Sequence, residues 1–207
     1  MSTPAMTYDS LIVDIQTYAE RSDTPFVDQI PRLIMLAENR IASEIHALGF
    51  LRIVDGTFTI LSNLVTKPSR WRETRSLFIP STGTHLLPRS LEYCQLFNFE
   101  SGASTPRYYA DYDYEHFFVA ARPLTASAFR LSYYERPEPL SLSNQTNWTT
   151  QYAPQLLLYA TLLEAQPFLK LPERIQEFQM LFDRAAATIS GEDNNRKDDK
   201  SSSVSKK

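Results

Sequence analysis

The chain has 207 residues, of which 43% are hydrophobic and 22% charged, so it is long enough and apolar enough to bury a core. Its formal net charge is −3, which argues against nucleic-acid binding through bulk charge. No stretch is apolar enough for a membrane span and the start lacks a signal-peptide pattern, so we expect synthesis in the cytoplasm. Cys94 is the only cysteine, which excludes an internal disulfide.

Two helices are predicted at the start of the chain. Thr7 can cap a first helix over residues 8–21, where apolar residues recur on one face. Thr24 and Pro25 form a start signal for a second helix, whose apolar residues recur at intervals of three and four and stop at Gly49. We assign residues 1–49 to this helical segment.

The pattern changes to that of a β domain over residues 50–148. Apolar and polar residues alternate from Phe50 onward, and prolines and glycines separate the strand candidates. Residues 90–97 can instead form a helical turn. Further strands are predicted at residues 71–79, 107–111, 117–120 and 129–135. We interpret this segment as an inserted antiparallel β domain.

Helix returns over residues 149–191, where Thr149 or Thr150 can cap a segment that is apolar almost all round, as in a helix buried by its neighbours. Pro167 is expected to bend or end this helix, and Pro172 opens a last helix that runs until Gly191. The predicted fold class is α+β, in which the N- and C-terminal helices form a four-helix bundle around the β insert.

Residues 192–207 form a polar segment with four acidic and five basic residues, and the rest of the chain holds 20 acids and 16 bases. Val204 is its only sizeable apolar residue, so the segment has too little apolar surface to offset the entropy lost on ordering. We predict a disordered or extended C-terminal tail.

No catalytic or metal-binding set of residues stands out. Asp111, Asp113 and Glu115 alternate as in an acidic calcium loop, but position six is His116 rather than glycine and apolar residues follow. The three histidines lack the spacing of a zinc site, and Cys94 has no motif around it. We therefore expect no enzyme activity, metal or cofactor.

Two groups of residues are candidate contact surfaces. The first is a cluster of tyrosines, side chains that give stiff contact area with a polar tip, as in contacts with another subunit or a tail protein. These are Tyr108, Tyr109, Tyr112 and Tyr114. The second is a basic patch beside Trp71, a composition typical of nucleic-acid grooves, although a solvated strand face is the alternative. Its members are Lys67, Arg70, Arg72 and Arg75.

Several sequence blocks carry a family resemblance through their order along the chain. They are Asp14–Ala19, Ile30–Ile41, Lys67–Thr74, Leu87–Cys94, Tyr108–Tyr114, Tyr133–Pro137 and Gln151–Tyr159. In this order they resemble the head-to-tail adaptor proteins, also called head-completion or connector proteins, of short-tailed bacteriophages. The resemblance covers most of Tyr8–Asp193.

The resemblance implies a structural protein of the virion, made in the host cytoplasm, that forms a dodecameric ring beneath the portal. Such a ring seals the packaged head, offers its lower face to the tail nozzle and to tail fibre proteins, and lets DNA pass through its lumen without sequence-specific binding. The basic patch would then face the lumen or the DNA, with the neighbouring subunit as the alternative for Arg70 and Arg72.

Related adaptors engage the portal through an extended C-terminal segment, and residues 192–207 occupy the corresponding place here, although they lack apolar anchors. The basic residues available there for portal binding are Arg196, Lys197, Lys200, Lys206 and Lys207. A different class of function also fits the tyrosines: a non-enzymatic carbohydrate- or protein-binding β module with helical flanks.

Overall fold

The structure is a computed structural model that describes residues 6–170 and 172–197. Contacts within the chain divide it into two compact units. The helical unit comprises the described residues up to Phe50 and from Pro137 onward, and the sheet unit comprises Leu51–Arg136. The chain is therefore of mixed α and β structure, in agreement with the predicted class.

The helices are α1 (Tyr8–Ala19), α2 (Thr24–Val27), α3 (Ile30–Glu44), α4 (Leu91–Ser101), α5 (Trp148–Tyr152), α6 (Pro154–Leu169) and α7 (Ile175–Lys197). The strands are β1 (Leu51–Thr57), β2 (Leu64–Thr66), β3 (Trp71–Ile79), β4 (Thr84–Pro88), β5 (Tyr108–Asp111), β6 (His116–Ala120) and β7 (Ala128–Glu135). Helix α4 belongs to the sheet unit, and the other helices belong to the helical unit.

Local capping chemistry explains where α1 begins. The Thr7 hydroxyl accepts a hydrogen bond from the Ser10 N–H at 3.2 Å, and the Ser10 hydroxyl accepts one from the Thr7 N–H at 2.8 Å. This reciprocal pair satisfies backbone donors that have no partner inside the helix. The predicted Thr7 cap is confirmed.

The second predicted helix is divided. A short α2 precedes α3, which begins at Ile30 with Pro31 in its first turn and ends at Glu44 rather than near Gly49. The predicted caps at Thr149 and Thr150 are also wrong, because Asn147 caps α5 by accepting hydrogen bonds from the N–H groups of both threonines.

Helix α6 is the centre of the helical unit. Leu156, Leu157 and Leu162 are fully buried, as the apolar sequence predicts, and α6 packs against α1, α3, α5 and α7. Pro167 lies inside α6 and does not end it before Leu169. The principal contacts among the helices all join α6 to another helix, and none of them joins α1, α3 and α7 to one another. The predicted four-helix bundle is therefore not confirmed.

Helix α7 continues past Gly191 to Lys197, so the extended or disordered tail predicted from residue 192 is wrong for residues 192–197. A tertiary contact explains the continuation. Asp193 is buried, and its carboxylate accepts a hydrogen bond from the Leu48 N–H at 2.6 Å. The remaining predicted tail, residues 198–207, lies outside the described residues.

The sheet unit contains one curled sheet with the strand order β1-β7-β3-β4-β5-β6-β2. The four strands predicted from residue 71 onward are confirmed to within one residue, whereas β2 and β4 were not predicted. The pairing is antiparallel except between β4 and β5, which are parallel and joined through α4. The prediction of a purely antiparallel β domain was therefore wrong. Parallel strands require a crossover connection, and α4 supplies it here.

The inner side of the curled sheet holds the core of this unit. The Trp71 ring on β3 meets the Phe117 ring on β6 edge-on, with 5.6 Å between centroids. The buried core side chains are those of Phe58, Val65, Leu77, Ile79, Leu86, Tyr109, Phe117, Val119, Phe129, Leu131 and Tyr133. The outer side of β5 and β6 packs against α4, where Cys94 is buried between Ala110 and Ala120.

Candidate contact surfaces

The structure buries one member of the predicted basic patch. The Lys67 side chain is 2% exposed, and its Nζ lies 2.7 Å from a carboxylate oxygen of Asp111 and donates to the Asp113 carbonyl at 2.8 Å. The same ammonium lies 3.9 Å from the centre of the Trp71 ring. Lys67 is therefore engaged inside the sheet unit, where its charge and hydrogen bond stabilise the acidic segment and its ammonium also makes a cation–π contact with Trp71.

Arg70 is also part of an internal network. The Glu135 side chain is 7% exposed and is paired with Arg52 at 2.7 Å and with Arg70 at 3.4 Å. A buried carboxylate is costly unless cations or hydrogen bonds compensate it. These two arginines therefore compensate the buried carboxylate at the end of β7.

The other two members of the patch lie on β3. Arg72 is half-buried, and desolvation lowers the pKa of its guanidinium from the ordinary value. Arg75 is exposed. The four predicted cations thus have four different environments, and Arg75 is the most accessible of them.

The structure also divides the predicted tyrosine surface. Tyr109 belongs to the core, with its ring edge-on to Phe117 at 5.8 Å. Tyr108 is half-buried and packs against α4, 4.8 Å from the Phe97 ring. Tyr112 and Tyr114 are exposed, at 47% and 76%. Only these two of the four tyrosines are exposed enough to contact an outside partner.

The acidic segment is a turn held by its own hydrogen bonds. One Asp113 carboxylate oxygen accepts from the N–H groups of Glu115 and His116, both at 2.7 Å. Although desolvation raises it, these bonds and His116 leave the pKa of Asp113 below its usual value. Among the described residues, no cluster of histidine, cysteine and acidic side chains could hold a metal ion.

Helix α4 carries an outward apolar face that the sequence reasoning missed. Tyr93, Leu96 and Phe99 are 42%, 59% and 87% exposed, and their spacing of three residues places them on one side of the helix. The segment was predicted only as a helical turn. Read with a helical period, the same three residues would have indicated a surface opposite the buried Cys94.

The edge of the sheet at β1 is a further accessible feature. β1 pairs with β7 on one side and ends the sheet on the other. Ile53 is 62% exposed, so the edge offers an apolar side chain beside backbone groups that can pair with another chain.

A comparison with protein-family models tests the family resemblance inferred from the sequence. The family model described as SU10 adaptor protein matches residues 6–206. The chain belongs to the SU10 adaptor protein family.

Membership in the SU10 adaptor family confirms the resemblance to bacteriophage head-to-tail adaptors. It makes the chain a phage structural protein of the virion that associates with other head or tail proteins, a class that is generally non-enzymatic. No curated protein matches the chain. Among its described residues, this SU10 adaptor has no helix that is long and apolar enough to cross a membrane.

Proposed function

We propose that this SU10 adaptor assembles as a closed, dodecameric ring between the portal and the tail nozzle. The ring seals the packaged head, provides the platform for the nozzle and for tail fibre proteins, and surrounds the channel through which DNA passes. Its subunits join through a heterologous contact, in which two different surfaces of the same chain meet and the rotation closes.

The outward face of α4 carries this proposal. Monomeric soluble proteins rarely leave large contiguous apolar surface in water, and aromatic residues are enriched in the centres of interfaces. Phe99 is 87% exposed, with Leu96 beside it at 59%. A neighbouring subunit that covers these side chains would remove that apolar surface from water.

Variants of α4 test the subunit contact. Leu96→Ser and Phe99→Ser should lower the fraction of chain in rings, measured by mass photometry of mixtures with the portal of the same phage. Leu142→Ser is the matched control, because Leu142 is 79% exposed on a loop of the helical unit. Rings that form equally well with Phe99→Ser and with the control would contradict the assignment of α4 to the contact.

The basic residues at the C-terminal end are proposed to bind the portal: Arg196, Lys197, Lys200, Lys206 and Lys207. A variant that ends at Lys197 removes the last three of these and keeps Asp193, which holds the end of α7 to Leu48. It should form the ring and bind the portal more weakly. Unchanged portal affinity would exclude residues 198–207 from docking.

The residues of the basic patch other than Lys67 are proposed to face the channel. Arg75 supports this best, since it is exposed on β3, whereas Lys67 is buried against Asp111. A lumen that repels or attracts DNA changes the rate of passage, so Arg75→Glu should slow DNA ejection from assembled virions. An ejection rate equal to that of the unaltered virion would remove Arg75 from the channel.

The exposed rings of Tyr112 and Tyr114 support a second candidate, a carbohydrate- or protein-binding β module. Aromatic rings that stand out from a turn can stack on a sugar or a partner side chain. A glycan array with the unaltered chain and with Tyr114→Ala tests it. Binding that disappears in the variant would favour this candidate over a purely structural role.

A further inference from the structure

A groove on the sheet unit is lined by several hydrogen-bond donors and by no acidic residue. One hollow of about 460 Å³ is lined by Thr82, Thr84, His85, Thr105, Arg107 and Tyr108, among others. A second hollow of about 330 Å³ shares Thr82 and Thr105 with it and adds further serine and threonine side chains. The two hollows are thus parts of one groove, and none of the residues that line either hollow is a carboxylate.

Arg107 gives this groove its charge. None of the ion pairs or side-chain hydrogen bonds of residues 6–170 and 172–197 involves its guanidinium, whereas Arg130 is paired with Asp55 at 2.8 Å and Arg52 with Glu135 at 2.7 Å. A guanidinium beside hydroxyl groups and away from acids is suited to an anion, which it can bind with two parallel hydrogen bonds.

The backbone under Arg107 is fixed on both sides. Its N–H donates to the Ala120 carbonyl at 2.7 Å, and its carbonyl accepts from the Leu87 N–H at 3.0 Å. The start of β5 is therefore held between β4 and β6, so that the guanidinium extends from a rigid base. Because this backbone is already fixed, less conformational entropy of the protein is lost when Arg107 binds a ligand.

Hydroxyl groups complete the donor set. The hydroxyl oxygens of Thr82 and Thr84 lie 2.6 Å apart, which uses one of their two protons. The other proton is available to a ligand oxygen when Thr82 donates to Thr84, and it is used when Thr82 instead donates to the Ile79 carbonyl at 3.5 Å. His85 packs against Phe78 at 4.8 Å and supplies a second nitrogen donor in the same hollow. Arginine and hydroxyl side chains are common donors to phosphate oxygens in protein–DNA complexes.

We propose that this groove binds phosphate groups of a DNA backbone, with Arg107 as the charged ligand and the threonine hydroxyls as further donors. The absence of carboxylates favours a phosphate over a neutral sugar, which would gain nothing from the arginine's charge. The proposal adds a DNA contact to the proposed function, but it concerns the single chain, so it can fail while ring assembly succeeds, and the reverse.

Fluorescence anisotropy with a labelled DNA duplex and the full-length chain tests the proposal. Arg107→Gln should weaken binding about tenfold and reduce the slope of log affinity against log salt by about one. Arg32→Gln removes the same charge from the exposed surface of α3 in the helical unit and should bind nearly as well as the unaltered chain. Thr105→Val, which keeps the side-chain shape, should weaken binding by a smaller factor.

Four results would overturn the proposal. They are unchanged affinity in Arg107→Gln, equal losses in Arg107→Gln and Arg32→Gln, equal binding of a duplex with an uncharged methylphosphonate backbone, and inorganic phosphate that binds as tightly as the duplex. Equal thermal unfolding midpoints of the variants show that the fold is kept. If Arg107→Gln fails to fold, Thr105→Val alone decides, and its unchanged affinity also overturns the proposal.

Discussion

The sheet unit and the helical unit each contain a buried glutamate, and the groups that compensate its carboxylate differ between the two units. In the sheet unit, Glu135 is 7% exposed on its side chain and is matched by the cations of Arg52 and Arg70. In the helical unit, the carboxylate of Glu38 is buried and accepts from the Leu140 N–H and from the Asn147 side-chain amide at 2.7 Å. Among the described residues no cation pairs with Glu38.

This difference has a consequence for pH. Desolvation raises the pKa of Glu38 from 4.5 to about 7, although the hydrogen bonds from Leu140 and Asn147 oppose the shift. We therefore expect the helical unit to lose stability as the solution becomes neutral.

The largest expected effect comes from breaking the cation pairs of the sheet unit. The double variant Arg52→Gln and Arg70→Gln leaves Glu135 buried without these two charges, and should lower the free energy of unfolding by about 3 kcal/mol at neutral pH. Urea titration measures the loss. A variant as stable as the unaltered chain would show that the arginines are dispensable.

Glu38 provides the next test. The folded state binds its proton more tightly than the unfolded state, so the stability from this group is present below pH 4.5 and is lost as pH rises through 7. The loss is at most about 3 kcal/mol. Urea titrations across this range should show the decline in the unaltered chain and a flatter profile in Glu38→Gln, which is neutral throughout. Equal slopes in both would contradict the assignment.

A smaller effect is expected at Lys67. Lys67→Met keeps the aliphatic stem in the core and removes the ammonium from Asp111, which is 65% exposed and can be solvated. We expect a loss of about 1 kcal/mol, together with faster amide hydrogen exchange in residues 111–116. Unchanged exchange in that segment would mean that Lys67 does not hold it.

An effect of similar size is expected at Asp193, the acid that fixes the end of α7. Asp193→Ala removes the acceptor of the Leu48 N–H and should cost about 1 kcal/mol, whereas Asp193→Asn retains an acceptor and should cost less. Thermal unfolding of both variants separates the hydrogen bond from the charge. Equal losses would mean that the charge matters and the acceptor does not.

Local signals in the sequence predicted local structure well. The Thr7 cap, the burial of α6 and the strand from Trp71 to Ile79 depend on residues that are neighbours along the chain, so patterns of three, four or two residues reveal them. The family resemblance also came from sequence blocks in order, and the match over residues 6–206 confirms it.

Contacts between distant residues explain what the sequence missed. Gly191 is a common helix terminator, yet α7 continues because Asp193 reaches Leu48, which is 145 positions away. Lys67 was predicted to belong to a surface patch. Its partner Asp111 is distant in the sequence, so no local pattern reveals that the two residues pair. The two hollows of the groove beside Arg107 are together built from three separate segments, so no single motif marks the groove.

The ring is the central claim, and native mass spectrometry of the purified chain mixed with the portal of its own phage tests it most directly. The account predicts one discrete complex whose mass corresponds to a closed ring of twelve chains bound to the portal, with Phe99→Ser reducing its abundance. A chain that stays monomeric both alone and with the portal would contradict the account.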